Sequence, residues 1–290
     1  MTDQLADRFE EHRSRLRAVA YRLLGSLTEA DDAVQETWLR LSRTDASEID
    51  NLGAWLTTVV ARVSLNMLRS RSTRREEPLD DMRLPDPILD RVDGIDPEHE
   101  ALLADAVGLA LLVVLETLSP PERLAFVLHD MFAVPFDEIG MIVDRSPDAA
   151  RQLASRARRR VRGAEPDPDA DPAAQREVVE AFLAAAREGD FDALLEVLDP
   201  EIVLRVDGGT GTLREVHGAA NVGRRAIGFH RLGLDIRLGL VNGAVGGVSM
   251  RNGKPFAVMG IIVRDGRIVE MDILSDSDRL ARLDLTVLDG

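Results

Sequence analysis

Apolar residues recur at three- and four-residue spacings through Phe9, Leu16, Val19, Ala20, Leu23 and Leu24, the stripe of an amphipathic helix. Gly25 to Leu27 interrupts it. A second helix is expected from Thr28 as its cap, with Asp31 and Asp32 in the first turn and Ala33, Val34, Thr37, Trp38 and Leu41 facing inward. A third opens near Leu52 and runs to about Arg71, with Trp55, Val59 and Val63 spaced as core positions. Between about 72 and 97 the period disappears among prolines and acids, which predicts a linker, extended where proline dictates. Helical spacing returns from His99 to Leu118. Ser119-Pro120-Pro121-Glu122 caps a further helix, Pro135 to Val143 is a short one, and Arg145 to Asp148 is a turn before a last helix to about Arg162. Two short helices around a tight turn predict a helix-turn-helix.

Beyond residue 173 the period changes. Helices over 173–188 and 191–198 give way to apolar runs at 202–206, 236–241, 245–250, 256–263 and 268–274, with turn signals at Asn252-Gly253 and Asp265-Gly266. Helices followed by a strand meander predict an α+β unit, one curved sheet with helices packed on it. The expected division is 7–71, a linker 72–97, 98–163, an acidic break 164–172, and 173–290. No internal repeat is present.

The chain has 290 residues, 45% of them hydrophobic and 30% charged, an ordinary globular balance. No apolar run reaches the roughly 20 residues that span a bilayer. The first ten residues carry Asp3, Asp7 and Glu10 and no apolar core, so no secretory signal is expected and the expected compartment is the cytoplasm. Cysteine is absent, which excludes disulfides, thiolate nucleophiles and Cys-ligated metal; no cofactor and no metal are expected. The net charge of −15 argues against a free-standing nucleic-acid binder, yet 145–162 carries seven arginines and one acid, Asp148.

The segments Tyr21 to Arg40 (YRLLGSLTEADDAVQETWLR) and Gly53 to Arg62 (GAWLTTVVAR) resemble region 2 of bacterial extracytoplasmic-function sigma factors. Leu118 to Leu128 and Ser146 to Arg158 resemble region 4 of the same family. The tail resembles SnoaL-like domains, the ketosteroid-isomerase-like α+β cone, and the whole resembles the subgroup regulated by such a fused tail. Signature fragments of that subgroup are Leu84-Pro85 in the linker, preceded by Arg83 where an aromatic belongs, Asp207-Gly208-Gly209 in the tail, where only the start of a longer run is kept, and Asn252-Gly253-Lys254-Pro255.

The resemblance implies all-α region 2 and region 4 domains plus the α+β tail, and a non-enzymatic initiation factor that directs core RNA polymerase to promoters. Region 2 would read the −10 element through Asn51, Arg62, Asn66, Arg69 and Arg71. Region 4 would read the −35 element through Ser146, Asp148, Arg151, Gln152, Ser155, Arg156, Arg158 and Arg159, with the helix start on base edges and later arginines on phosphates. Asp32, Gln35 and Glu36 would meet the polymerase clamp coiled coil, and region 4 the flap. Leu84, Pro85, Asp207, Gly208, Gly209 and the 252–255 turn would serve regulation through contact of the tail with the sigma core or linker, so a separate anti-sigma factor is not required and no membrane is involved. The alternative is a DNA-binding module fused to a ligand-sensing or catalytic tail. The side chains available there as a general base are Asp207, His217, His230, Asp235 and Asp272, and each is expected to be structural.

Overall fold

The computed structural model describes residues 2–45, 49–74, 83–91, 109–164, 171–209 and 213–285. Several expected features lie outside them: most of the linker, the first half of the 99–118 helix, the acidic break at 165–170, and Thr210 and Gly211 after the Asp-Gly-Gly start. The described residues form two compact units. One holds 2–45, 49–74 and 111–164; the other holds 83–91, 109–110, 171–209 and 213–285.

The first unit is all-helical. Helices α1 (Thr2–Leu24), α2 (Leu27–Leu41) and α3 (Leu52–Arg74) pack together. The predicted α1 stripe is the core: Phe9, Leu16, Val19, Ala20, Leu23 and Leu24 are buried. Ser26 rather than Thr28 caps α2, its hydroxyl accepting from the Glu29 amide, so the helix starts one residue before Thr28. Leu56, Val60, Ala61 and Leu65 carry the buried face of α3; Trp55 and Val59 sit half-buried at its edge rather than in the core.

After β1 (Leu89–Asp90), which belongs to the second unit, come α4 (Leu109–Glu116) and α5 (Pro120–Phe126), the latter running into a π-helical turn, Val127–Met131. Then α6 (Phe136–Val143) ends at Asp144 in the left-handed region (φ 57°), and α7 (Pro147–Ala164) follows. This is the predicted helix-turn-helix. Ala150, Ala154, Ala157 and Val161 form the buried stripe of α7, small enough to let it lie close against α5 and α6. Gly140 lets α6 meet the turn: a Cβ there would stand 2.8 Å from the Arg145 carbonyl oxygen.

The second unit is α+β. Helices α8 (Pro172–Glu188), α9 (Phe191–Val197) and α10 (Ala219–His230) share one core with a seven-stranded sheet. Its strands are β1, β2 (Leu198–Asp207), β3 (Arg214–His217), β4 (Asp235–Val241), β5 (Ala244–Arg251), β6 (Lys254–Arg264) and β7 (Arg267–Leu274), in the order β1-β4-β5-β6-β7-β2-β3. Only the β2–β7 pair is parallel. Asn242-Gly243, Asn252-Gly253 and Asp265-Gly266 make the hairpins, both residues of each at positive φ, the primed geometry that matches strand twist. A short helix, α11 (Ser277–Leu280), is capped by Asp276.

The α10 helix, β3 and β1 had no counterpart in the sequence reading. The last is the most informative: the linker, expected to be extended and to meet the tail, pairs its Leu89-Asp90 as a strand with Leu240-Val241 at the sheet edge and buries Leu84, Ile88 and Leu89.

Candidate functional site

The region 4 residues cluster around the start and outer side of α7. Ser146 caps the helix, its Oγ accepting from the Ala149 amide at 3.2 Å. Gln152, Ser155 and Arg159 are exposed. Asp148 and Arg151 are also exposed and pair at 2.5 Å, and Arg151 lies over the Phe136 ring. A pair this open is worth little and yields to a competing phosphate. Two further arginines expected at DNA have ion-pair partners within the domain: Arg158 with Asp130 at 2.5 Å and Arg156 with Glu122 at 3.3 Å. Glu122 also receives Arg160 and the Ser119 hydroxyl. Burial opposes its ionisation, but Ser119 and Arg160 outweigh that and hold its carboxyl below the ordinary range.

The region 2 residues divide in the same way. Asn66 and Arg69 are exposed on α3. Asn51 Oδ1 accepts from the Ala54 amide at 3.1 Å, which makes it the cap of α3. Arg62 donates to the Met141 carbonyl of α6 at 3.0 Å, so the free chain uses this residue to hold regions 2 and 4 together. Arg71 pairs with Glu29 and donates to the Leu24 carbonyl at 3.0 Å, joining α3 to α1 and α2. On α2, Asp32 and Gln35 are exposed, and Glu36, half-buried, pairs with Arg40 at 2.9 Å; helical spacing sets all three on one side.

The second unit holds a clamp on the linker. Asp207, at the end of β2 and 3% exposed, accepts from the Leu84 amide at 3.0 Å and from Arg279 at 2.9 Å. The Arg279 guanidinium also donates to the Leu84 carbonyl at 2.6 Å and to Asp86 at 2.6 and 2.9 Å. Nearby, the Asn242 side-chain oxygen accepts from the Ile88 amide at 3.1 Å, and the Asn242 backbone N–H donates to the Ile88 carbonyl at 2.8 Å. Leu84 and Asp207 were anticipated; Asp86, Asn242 and Arg279 were not. No spacing marks them, because residues 86, 207 and 279 come together only through sheet topology. Gly209 is at φ 78°, where a Cβ would collide with Asp276, and Gly208 is exposed. The 252–255 turn is not brought to the clamp: Asn252, Gly253 and Lys254 form an exposed hairpin, and Pro255 lines a cavity.

That cavity, about 610 Å³, lies between the sheet and α8, α10 and α11. Its wall is apolar apart from Arg225, His230 and three serines, Ser249, Ser275 and Ser277. Of the possible bases, His230 alone reaches it. Asp235 and His217 are exposed, and His217 lies 3.3 Å from Glu215. Asp272 alternates with the cavity-lining Met271 and Ile273, so it points through the other face, where it and Glu270 share Arg205. Burial, then the nearby Glu270 charge, pushes its carboxyl up to about 8.

Among the described residues, no group of three or more His, Asp or Glu is placed to hold a metal, and no helix is long and apolar enough to cross a membrane.

A helical domain joined to a helix-turn-helix is the layout of a DNA-binding transcription factor. Family profiles described as Sigma-70 region 2 and Sigma-70, region 4 match residues 8–74 and 108–161. The chain is 39% identical over 289 residues to the ECF RNA polymerase sigma factor SigJ of Mycobacterium tuberculosis, covering 93% of this chain and 91% of that one. It is 39% identical over 221 residues to a probable ECF RNA polymerase sigma factor, SigI, of the same species, covering 76% and 75%. The crystal structure of M. tuberculosis SigJ superposes with a TM-score of 0.77 at 36% identity, covering 97% of this chain and 99% of that one. The chain belongs to the extracytoplasmic-function RNA polymerase sigma factors. Its sigma domains bind core RNA polymerase and promoter DNA, and its tail has the expected α+β fold.

Proposed function

We propose that the chain works as three units, residues 7–71, 98–163 and 173–290, with region 2 on the polymerase clamp through Asp32, Gln35 and Glu36 and region 4 on the flap. Asn66 and Arg69 serve the −10 element directly; Arg62 joins them once its tie to α6 is released. In region 4, Ser146, Asp148, Arg151, Gln152 and Ser155 at the start of α7 serve the base edges and Arg159 the phosphates. Asn51, Arg71, Arg156 and Arg158 act by keeping the helices in place.

The tail regulates by fixing the linker that joins the two DNA-reading domains. The observation behind this reading is the Arg279 clamp, which ties linker residues Leu84 and Asp86 to Asp207. A segment held at both carbonyl and amide cannot adopt a new path without breaking several charge-assisted hydrogen bonds. Regulation is then built into one cytoplasmic chain, with no separate anti-sigma factor. The tail is read as non-catalytic because, among the described residues, His230 is the one candidate base lining its cavity and no carboxylate lines it to work with it.

Transcription in vitro with core polymerase tests this. The intact chain, Arg279→Ala and a chain ending after Arg162 are compared on one promoter. A changed yield on releasing the clamp supports the reading; equal yields from all three remove it.

A further inference from the structure

The cavity and the clamp share a wall. The Ser275 amide donates to the Asp207 carbonyl at 2.7 Å, Ser275, Ser277 and Leu280 line the cavity, and Arg279 sits among them with its side chain on the linker. One short segment thus faces a possible ligand on one side and holds the linker on the other.

The lining selects the ligand chemistry. A cavity of about 610 Å³ falls within the range of about 300–1,000 Å³ usual for small-molecule sites. Most of its wall is aliphatic or aromatic, including Phe182, Phe229, Phe256 and Met259, and among the described residues the ionisable groups on it are Arg225 and His230, with no carboxylate. Arg225 is exposed on α10 and has no hydrogen-bond or ion-pair partner among the described residues. An apolar body with one anionic end fits: the body takes the cavity and the anion meets the Arg225 guanidinium on α10.

We propose that the tail binds a small, mainly apolar molecule carrying a single carboxylate or similar anion, and that its occupancy tightens the linker clamp through residues 275–280. The direction follows from linkage. A ligand touching Ser275, Ser277 and Leu280 in their clamped positions favours that arrangement over an opened one. This coupling rests on the clamp reading above; the binding itself does not.

The intact chain is titrated with anilinonaphthalene sulfonate, an apolar anion, which is then displaced with decanoate or decanol. Gly228→Phe and Arg225→Gln are compared with it. Gly228 lines the cavity and a Cβ there meets nothing within 4 Å, so a larger side chain is accommodated without moving the helix, and Arg225 is exposed, so both variants keep the fold, which their thermal transitions verify. Saturable binding that Gly228→Phe weakens at least tenfold is the expected result. Absence of saturable binding, or binding untouched by Gly228→Phe, overturns the site. Arg225→Gln is expected to weaken decanoate by about tenfold and leave decanol unchanged. Equal losses for the two overturn the anionic part.

Coupling is read from hydrogen exchange at the Leu84 and Ile88 amides. Saturating decanoate is expected to slow it on the order of tenfold. Bound decanoate without that slowing overturns the coupling. If Arg279→Ala leaves exchange at these amides unchanged in the ligand-free chain, it is the clamp reading that fails, while the ligand titration is judged separately.

Discussion

Truncating Arg279 to alanine removes four hydrogen bonds at once, two to Asp86, one to Asp207 and one to the Leu84 carbonyl. The side chains involved are 14%, 15% and 3% exposed for Arg279, Asp86 and Asp207. Removing one partner of a buried ion pair costs about 3–5 kcal/mol, because the other charge is left without compensation. Asp207 keeps its bonds from the Leu84 and Gly209 amides, and Asp86 lies nearer water, so the lower end, about 3 kcal/mol, applies. For a unit of this size that lowers the melting temperature by roughly 6–12 °C. Scanning calorimetry of the intact chain reads it as a downward shift of the tail transition. Arg279→Lys keeps the charge but not the planar fork, and is expected to lose roughly half as much. A loss below about 1 kcal/mol for the alanine variant refutes the reasoning. So does strict additivity of Arg279→Ala with Asp86→Ala, since coupled neighbours depart from additivity by more than about 0.5 kcal/mol.

Four further outcomes are expected. Gly140→Ala forces a Cβ against the Arg145 carbonyl in the helix-turn-helix and destabilises region 4 by about 1–3 kcal/mol in urea; an unchanged midpoint contradicts the close approach. Arg159→Ala, exposed on α7, lowers the slope of log affinity against log salt by about 1 for holoenzyme on promoter DNA, whereas an unchanged slope takes Arg159 off the phosphates. The isolated chain, at a net charge of −15, does not shift DNA in gels at physiological salt without core polymerase; tight binding there contradicts the charge argument. The folded chain keeps the Asp272 proton up to about pH 8, whereas the unfolded chain releases it near the ordinary 3.8. Stability from that proton is complete below the unfolded value and lost as pH rises toward 8, so Asp272→Asn flattens the decline in melting temperature between pH 5 and 8, and parallel curves for the two proteins argue against it.

Much of this protein was fixed by its sequence of residue types. The three- and four-residue spacing in α1, α2 and α3, the Ser-Pro-Pro-Glu start of α5 and the alanine stripe of α7 specify local structure, because each depends on neighbours within one or two turns. The Asp-Gly and Asn-Gly hairpins are legible for the same reason: positive φ at two successive residues restricts their identity. Strand ends were less clear, and β3 was missed because polar residues such as Arg214 and Glu215 dominate it; α10 was missed although Val222, Ala226 and Phe229 keep helical spacing.

Tertiary structure decided what composition could not. An arginine in sequence is only a cation; whether it reads DNA or braces a helix depends on what the fold sets beside it. Arg158 and Arg159 are neighbours, yet one is paired with Asp130 and the other faces solvent, because successive helical positions point about 100° apart. The proline-rich linker shows no strand or helix period because its partners are far away in the chain. Its extended backbone cannot satisfy its own hydrogen bonds, and the β4 edge, Asp207, Asn242 and Arg279 supply them only once the sheet has formed.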